Sequence, residues 1–534
     1  MRLKDGSLSS GKKVLIDGQQ RVTALSAALA GQQVVNKEYK SVHVRIAFNP
    51  KDERFEVANP AIQKDKAWIA DISPIMQEEV SLLKLIRNYT QANPDVDEDQ
   101  MERVLTQLRG ITKKQIGMIE LAAELDIEAV TEIFIRINRE GVPLSQADFA
   151  MSKIAANETH GGNQLRKAID YFCHLAVAPE FYSHIQNNDT DFSSSDYFQA
   201  MKWLRNENDD LYDPSYSDML RVAFISRFSR GKLADLVALL SGRDFETRTY
   251  EESIAEASFE NLKAGVFSFM SENNFKRFLM ILKSAGFVVS GLLKNRQGVI
   301  NFTYALFLKL RADGVSGEKI ETYIRRWFVL SVLTGRYSGS PETRMDQDIR
   351  RFDDDFGAYL ESMEEAELSD AFWNVRLPQD LTTSNRNNPA FITFLAAQSK
   401  SNVRGFLSKD ITVRSMLEHR GDIHHIFPRN FLKKQGYTQA KYNQVANFAY
   451  TQQEINIAIG DAPPEEYIGD IRAQVSGMGA KYGGISQLEE MKANFGENAV
   501  PVEFFEGSLF TYEDFLQARR KMMALMIRDY YQTL

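Results

Sequence analysis

The chain has 534 residues, 43% hydrophobic and 25% charged, with 64 basic against 72 acidic side chains and a mean hydropathy of −0.34. That length exceeds one hydrophobic core and implies about two to four globular domains; the composition excludes wholesale disorder, a collagen-like fibre and a membrane bundle. A net charge of −8 means that any nucleic-acid contact must come from a local patch.

No apolar run approaches the length of a membrane span, and Met1-Arg2-Leu3-Lys4-Asp5-Gly6 lacks the apolar core of a signal peptide. The single cysteine, Cys173, cannot close an intrachain disulfide or build a cysteine-type zinc site. Its neighbour His174 points elsewhere on a helix, so the thiol reads as buried packing. The expected compartment is the cytoplasm.

In chain order, residues 1–155 read as a mixed α/β domain. Gly6-Ser7-Leu8-Ser9-Ser10-Gly11-Lys12-Lys13 nearly matches a phosphate loop. It lacks the Ser or Thr after the lysine and a preceding strand, so it reads as a hairpin loop. Val14-Leu15-Ile16 is a short strand, Asp17-Gly18 a turn, and Val22, Leu25 and Leu29 mark a helix. Residues 42–48 alternate as a strand, turn at Asn49-Pro50, and alternate again through Phe55 and Val57 as a hairpin. Helices are expected near 75–92 and 97–109, with acidic residues 92–102 as an exposed connection. Val130, Ile133, Phe134 and Ile137 form a buried helical stripe, and Ser145-Gln146-Ala147-Asp148 is a capping box.

Residues 156–370 read as a helical domain whose aromatics, Trp203 and Trp327 among them, are packing. Arg336 suits either a phosphate or a buried pair with a nearby aspartate such as Asp346 or Asp348. Asp353-Asp354-Asp355 reads as a solvated margin. Residues 371–534 form the last expected domain.

That last segment contains Asp422-Ile423-His424-His425-Ile426-Phe427-Pro428, followed by Asn447 and, nine residues on, Asn456. An apolar strand carries His425 to a turn at Pro428, a second strand follows near 446–451, and a helix from about Gln452 presents Asn456. A β-β-helix unit of this kind can gather an imidazole and an amide oxygen into one site. Phosphodiester hydrolysis needs a neutral imidazole to accept a proton from water and a hard divalent cation for the leaving oxygen. Nitrogen and oxygen ligands suit Mg²⁺ or Mn²⁺ first, with Ni²⁺ and Zn²⁺ as alternatives. Between Lys400 and Lys441 stand nine basic and three acidic side chains, a local cationic patch in an acidic chain.

The segment Asp422–Tyr467 resembles the HNH (ββα-metal) nuclease domain at the C-terminus of GmrSD-type restriction enzymes. The resemblance implies His424 and Asn456 as metal ligands, His425 as general base and Asn447 as the residue orienting it; a carboxylate is more usual at position 424. Pro463-Pro464, Tyr467, Phe515, Arg519 and Arg520 also resemble the family's continuation. Arg429, Lys433 and Lys434 become candidate phosphate contacts.

Asp17-Gly18-Gln19-Gln20-Arg21 is similar to the signature of the ParB-like N-terminal domain of the same enzymes, and a helix N-terminus plus a guanidinium suits an anion. Ile135-Arg136-Ile137-Asn138 with Gly141, Leu144 and Ser145 resembles that domain's second motif. The resemblance implies nucleotide binding or sensing of modified DNA at Asp17, Gly18, Gln19, Gln20, Arg21 and Asn138. Family members carry a further strand and helix ahead of this motif. Here sixteen residues precede Asp17, which leaves a truncated chain, a misassigned start or a reduced sensing domain.

The expectation is therefore a predominantly helical α+β multidomain protein: a ParB-like domain at 1–155, a helical domain at 156–370 and an HNH nuclease domain at 371–534. Its function would be metal-dependent cutting of modified phage DNA in bacterial defence, with an NTP as a second ligand, no membrane partner, and a homo-oligomer allowed. Two other classes stay open: a non-catalytic DNA-binding or regulatory protein, and an NTPase whose HNH domain only targets DNA.

Overall fold

In the computed structural model, residues 18–35, 41–77, 80–121, 133, 145–207, 209–351, 355–419 and 421–534 are described. They form a mostly helical chain with three two-stranded antiparallel sheets, divided into two compact units, Met1–Leu144 and Ser145–Leu534. Several expected features lie outside the described residues: the phosphate-loop-like stretch, the Val14–Ile16 strand, Asp17, Asp353, Asp354, and the 130–144 motifs except Ile133.

In the first unit, helix Gln19–Ala30 starts from Gly18, whose φ of 82° is left-handed backbone that a residue without a Cβ adopts at no steric cost. The alternating 42–48 stretch divides between two sheets. Strand β1 (Gln33–Val35) pairs with β2 (Ser41–His43), and β3 (Ile46–Asn49) with β4 (Arg54–Val57). One pattern of alternation served two partners. Phe48 on β3 packs with Ile86, Tyr89, Met101 and Leu105 from helices Leu82–Ala92 and Glu98–Arg109. Much of the expected acidic connection is in fact the first turn of that second helix. Asp97 accepts from the backbone N–H of Gln100, and Glu98 and Asp99 lie at the positive end of the helix dipole.

The second unit opens with the expected capping box: Ser145 Oγ accepts from the Asp148 N–H while the Asp148 carboxylate accepts from the Ser145 N–H. One apolar cluster then runs from Ala147 to Leu534, with Phe172, Trp327 and Phe515 fully buried. The boundary expected near 370 falls inside this unit, because the end of the chain is stitched into the helical body. Tyr530 donates to the Ala285 carbonyl at 2.5 Å, Tyr531 to Glu364 at 2.6 Å, and Arg325 to the Leu534 carbonyl at 3.4 Å. Cys173 lies within the core, where burial pushes its thiol well above the ordinary value. Arg336 is also buried: its fork meets Asp348 at 2.6 and 2.8 Å, and Tyr337 and Tyr359 donate to the same carboxylate. It is a packing pair, out of reach of a phosphate. Among the described residues, no helix is long and apolar enough to cross a membrane.

Candidate functional site

Strands β5 (Asp422–His425) and β6 (Phe448–Thr451) pair antiparallel, with His424 opposite Ala449 and His425 opposite Phe448. Helix Gln453–Ile459 follows directly. Strand and helix stand within two residues of their expected positions. Because successive side chains on a strand face opposite ways, the two histidines part company.

His424 turns inward. It is 2% exposed, roughly parallel to the Phe406 ring, and its Nδ1 lies 2.8 Å from Asn456 Oδ1. Asn456 Nδ2 in turn donates to Asp422 Oδ2 at 3.3 Å. Burial pushes the His424 pKa down to about 4; the Asn456 bond opposes this, while His425 and Arg519 add to it. The ring is therefore neutral at pH 7 and, with the Asn456 oxygen as acceptor, carries its proton on Nδ1; ligation of a metal through Nδ1 requires that proton to move to Nε2. Its Nε2 is buried without a hydrogen-bond partner among the described residues.

Two neighbouring ligands of an octahedral cation, each roughly 2.1 Å from it, stand about 3 Å apart. The 2.8 Å between His424 Nδ1 and Asn456 Oδ1, a hydrogen bond while Nδ1 carries its proton, is also close to that spacing. Among the described residues, no group of three or more His, Cys, Asp or Glu side chains could hold a metal. What converges here is one imidazole and one amide, a set suited to an ion that keeps several waters.

His425 faces the other way, half-buried and edge-on to the Phe448 ring at 5.0 Å. Its Nε2 lies 2.9 Å from Asn443 Oδ1. With the amide oxygen as acceptor, the proton sits on Nε2 and the lone pair on Nδ1. Burial lowers the His425 pKa, the Asn443 bond opposes, and the nearby Arg386 and Arg429 cations lower it further. Burial and the cations both favour the neutral ring, with its lone pair on Nδ1.

Asn447 is fully buried and does something else. Its Oδ1 accepts from the Phe427 N–H at 2.8 Å, and its Nδ2 donates to the carbonyls of Phe427 and Tyr442 at 3.0 and 3.1 Å. The amide that meets the His425 ring is that of Asn443. The sequence offers two asparagines four residues apart and no pattern that tells the clamp from the ring partner.

The C-terminal residues of the resemblance support the same loop. Tyr467 donates to the Ile426 carbonyl at 2.7 Å. Arg519, fully buried, donates to the Ala446 and Asn498 carbonyls, and Arg520 donates to the Gln444 side chain. Burial without a described carboxylate pushes the Arg519 pKa down to about 9.

The cationic patch is thinner than its sequence suggests. Arg404 pairs with Glu490 and Glu497, Arg414 with Glu418, and Lys400 donates to the Thr533 carbonyl. Arg429, Lys433, Lys434 and Lys441 stand exposed, with the Lys433 ammonium over the Tyr442 ring at 5.6 Å.

In the first unit, Gln20 and Arg21 lie exposed on the opening turn of helix Gln19–Ala30. A Cβ built on Gly18 would stand 3.7 Å from Arg21 Nη2, so the guanidinium curls back over that turn. Asp17 and Asn138, the other expected members, lie outside the described residues.

Residues 3–155 match the N-terminal domain of the GmrSD restriction endonuclease. The GmrSD match covers the first unit and the opening helix of the second; the β5-β6-helix site lies beyond it. No curated protein and no solved structure matches the chain.

Proposed function

We propose that this protein is a metal-dependent DNA endonuclease of the modification-dependent restriction class, with its cutting site at β5, β6 and helix Gln453–Ile459. The observation that carries the reading is the 2.8 Å convergence of His424 Nδ1 and Asn456 Oδ1 beside His425, whose pKa burial lowers. The restriction-endonuclease match of residues 3–155 supports it independently.

His425 Nδ1 accepts the proton of the attacking water as its oxygen bonds phosphorus and the P–O3′ bond breaks; the departing O3′ takes a proton from solvent, leaving a 5′-phosphate and a 3′-hydroxyl. Asn443 holds the tautomer that frees Nδ1. A divalent cation held by His424 and Asn456, Mg²⁺ or Mn²⁺, would supply charge stabilisation at the leaving oxygen. Arg429, Lys433 and Lys434 engage backbone phosphates. Gly18, Gln19, Gln20 and Arg21, with Asp17 and Asn138, form the sensing site for a nucleotide or a modified base.

The test is incubation of glucosylated, methylated and unmodified phage DNA with the wild type and His425→Ala, with Mg²⁺ or EDTA and with or without ATP or GTP. Metal-dependent nicking by the wild type alone is expected; equal cutting by both proteins refutes the assignment. One observation favours a second reading, a DNA-binding protein without catalysis: among the described residues, one imidazole and one amide oxygen converge. That reading expects salt-dependent retention of DNA and no nicking under any metal.

A further inference from the structure

The loop Thr382–Asn388 lies far upstream of β5 in sequence, outside the expected cationic patch, yet it forms a wall of the His425 site. Its backbone is fixed at both ends. The Val445 N–H, in the turn that leads into β6, donates to the Thr383 carbonyl at 2.8 Å. Buried Arg296 donates to the Asn387 carbonyl at 2.9 Å, and Asn388 Nδ2 to the Asp380 carbonyl at 3.1 Å. Within the loop, Asn385 Oδ1 accepts from the Asn387 N–H at 3.0 Å, a side-chain turn that needs no further support.

This frame presents one charged side chain. Arg386 is exposed, and its guanidinium carbon lies 4.9 Å from the centroid of the Phe448 ring. The edge-on neighbour of that same ring is His425. Arg386 forms no ion pair among the described residues, unlike Arg404 and Arg414 of the patch. A guanidinium stacked on an aromatic face loses little further freedom on binding and keeps its donor edge for a ligand. Its planar fork matches two oxygens of a phosphate. Arg429 supplies a second exposed cation near the imidazole.

We propose that Arg386 is the guanidinium that grips a backbone phosphate of the strand lying in the His425 site, and that the Thr382–Asn388 loop exists to hold it there. The inference rests on the nuclease reading above and adds a substrate-binding residue to it. Arg386 touches the nucleic acid and takes no part in moving the proton, so it acts on binding first.

The experiment measures binding and cutting separately, with the full chain. A fluorescein-labelled, unmodified DNA duplex is titrated in EDTA, and anisotropy is followed over a range of salt. Removing one phosphate contact should flatten the log K against log[salt] slope by about 0.9 and weaken binding at low salt about ten-fold. Arg386→Ala and Arg386→Gln, the latter keeping a planar group over Phe448, should both show this. Arg386→Lys should restore the slope, and Arg166→Ala, on a remote helix, should leave it unchanged. Wild-type slope and affinity in both Arg386→Ala and Arg386→Gln overturn the inference. A wild type that binds with the expected dependence on Arg386 but never nicks with Mg²⁺ or Mn²⁺ supports the phosphate grip and overturns the nuclease reading instead.

Discussion

Asn447 and Asn443 stand four residues apart, and exchanging their side chains for alanine should cost very different amounts of stability. Asn447→Ala strips the Phe427 N–H and the Phe427 carbonyl of their side-chain partner in a fully buried setting and leaves the Tyr442 carbonyl with only the 3.5 Å bond from Tyr512. A buried polar group left unpaired costs about 1–3 kcal/mol, so a loss of roughly 3 kcal/mol or more is expected for the second unit. Asn447→Asp should be no better: a carboxylate can still accept from the Phe427 N–H but faces two carbonyl oxygens. A metal-binding or base-orienting residue would tolerate that change best of all. Asn443 is half-buried and makes its ring bond at the edge of the site, so Asn443→Ala should cost about 1 kcal/mol or less. Urea unfolding followed by tryptophan fluorescence, with amide exchange over residues 426–451 as a local probe, measures both. A wild-type midpoint for Asn447→Ala, or a midpoint restored by Asn447→Asp, would refute the clamp.

Burial holds the His425 pKa below the ordinary 6.5, so the acid limb of kcat/KM should fall below pH 6.5. Asn443→Ala removes the bond that favours the charged ring, so its limb should move lower still while the maximum rate drops. For His424, a folded pKa of about 4 against 6.5 unfolded makes stability present above pH 6.5 and lost as pH falls through about 4. The loss is about 3 kcal/mol, read as a fall in urea midpoint between pH 7 and pH 4 that His424→Asn should flatten. Arg336→Leu strands the buried Asp348 carboxylate, and thermal unfolding should register a loss of about 3–5 kcal/mol.

The β-β-helix order was legible because strand alternation, Pro428 and the His-to-Asn spacing are all local signals, and local signals survive folding. Which face each histidine takes follows from strand periodicity, but what waits on that face does not: Phe406, which His424 meets, arrives from a preceding loop. The cationic patch misled because the partners of Arg404, Glu490 and Glu497, lie more than eighty residues downstream. Arg386 was invisible for the converse reason, being brought in by a backbone bond from Thr383 to Val445. Splitting of the 42–48 alternation shows the same limit at short range. Periodicity fixes which residues are strand-like and leaves open which neighbour each half will choose.

The stitching of Tyr530, Tyr531 and Leu534 into the helical body bears on how this protein can be dissected. A fragment begun at residue 371 would leave Ala285, Glu364 and Arg325 behind and bare the apolar wall they border. Such a piece would come out of the cell as aggregate, so the cutting site has to be studied with its helical scaffold attached.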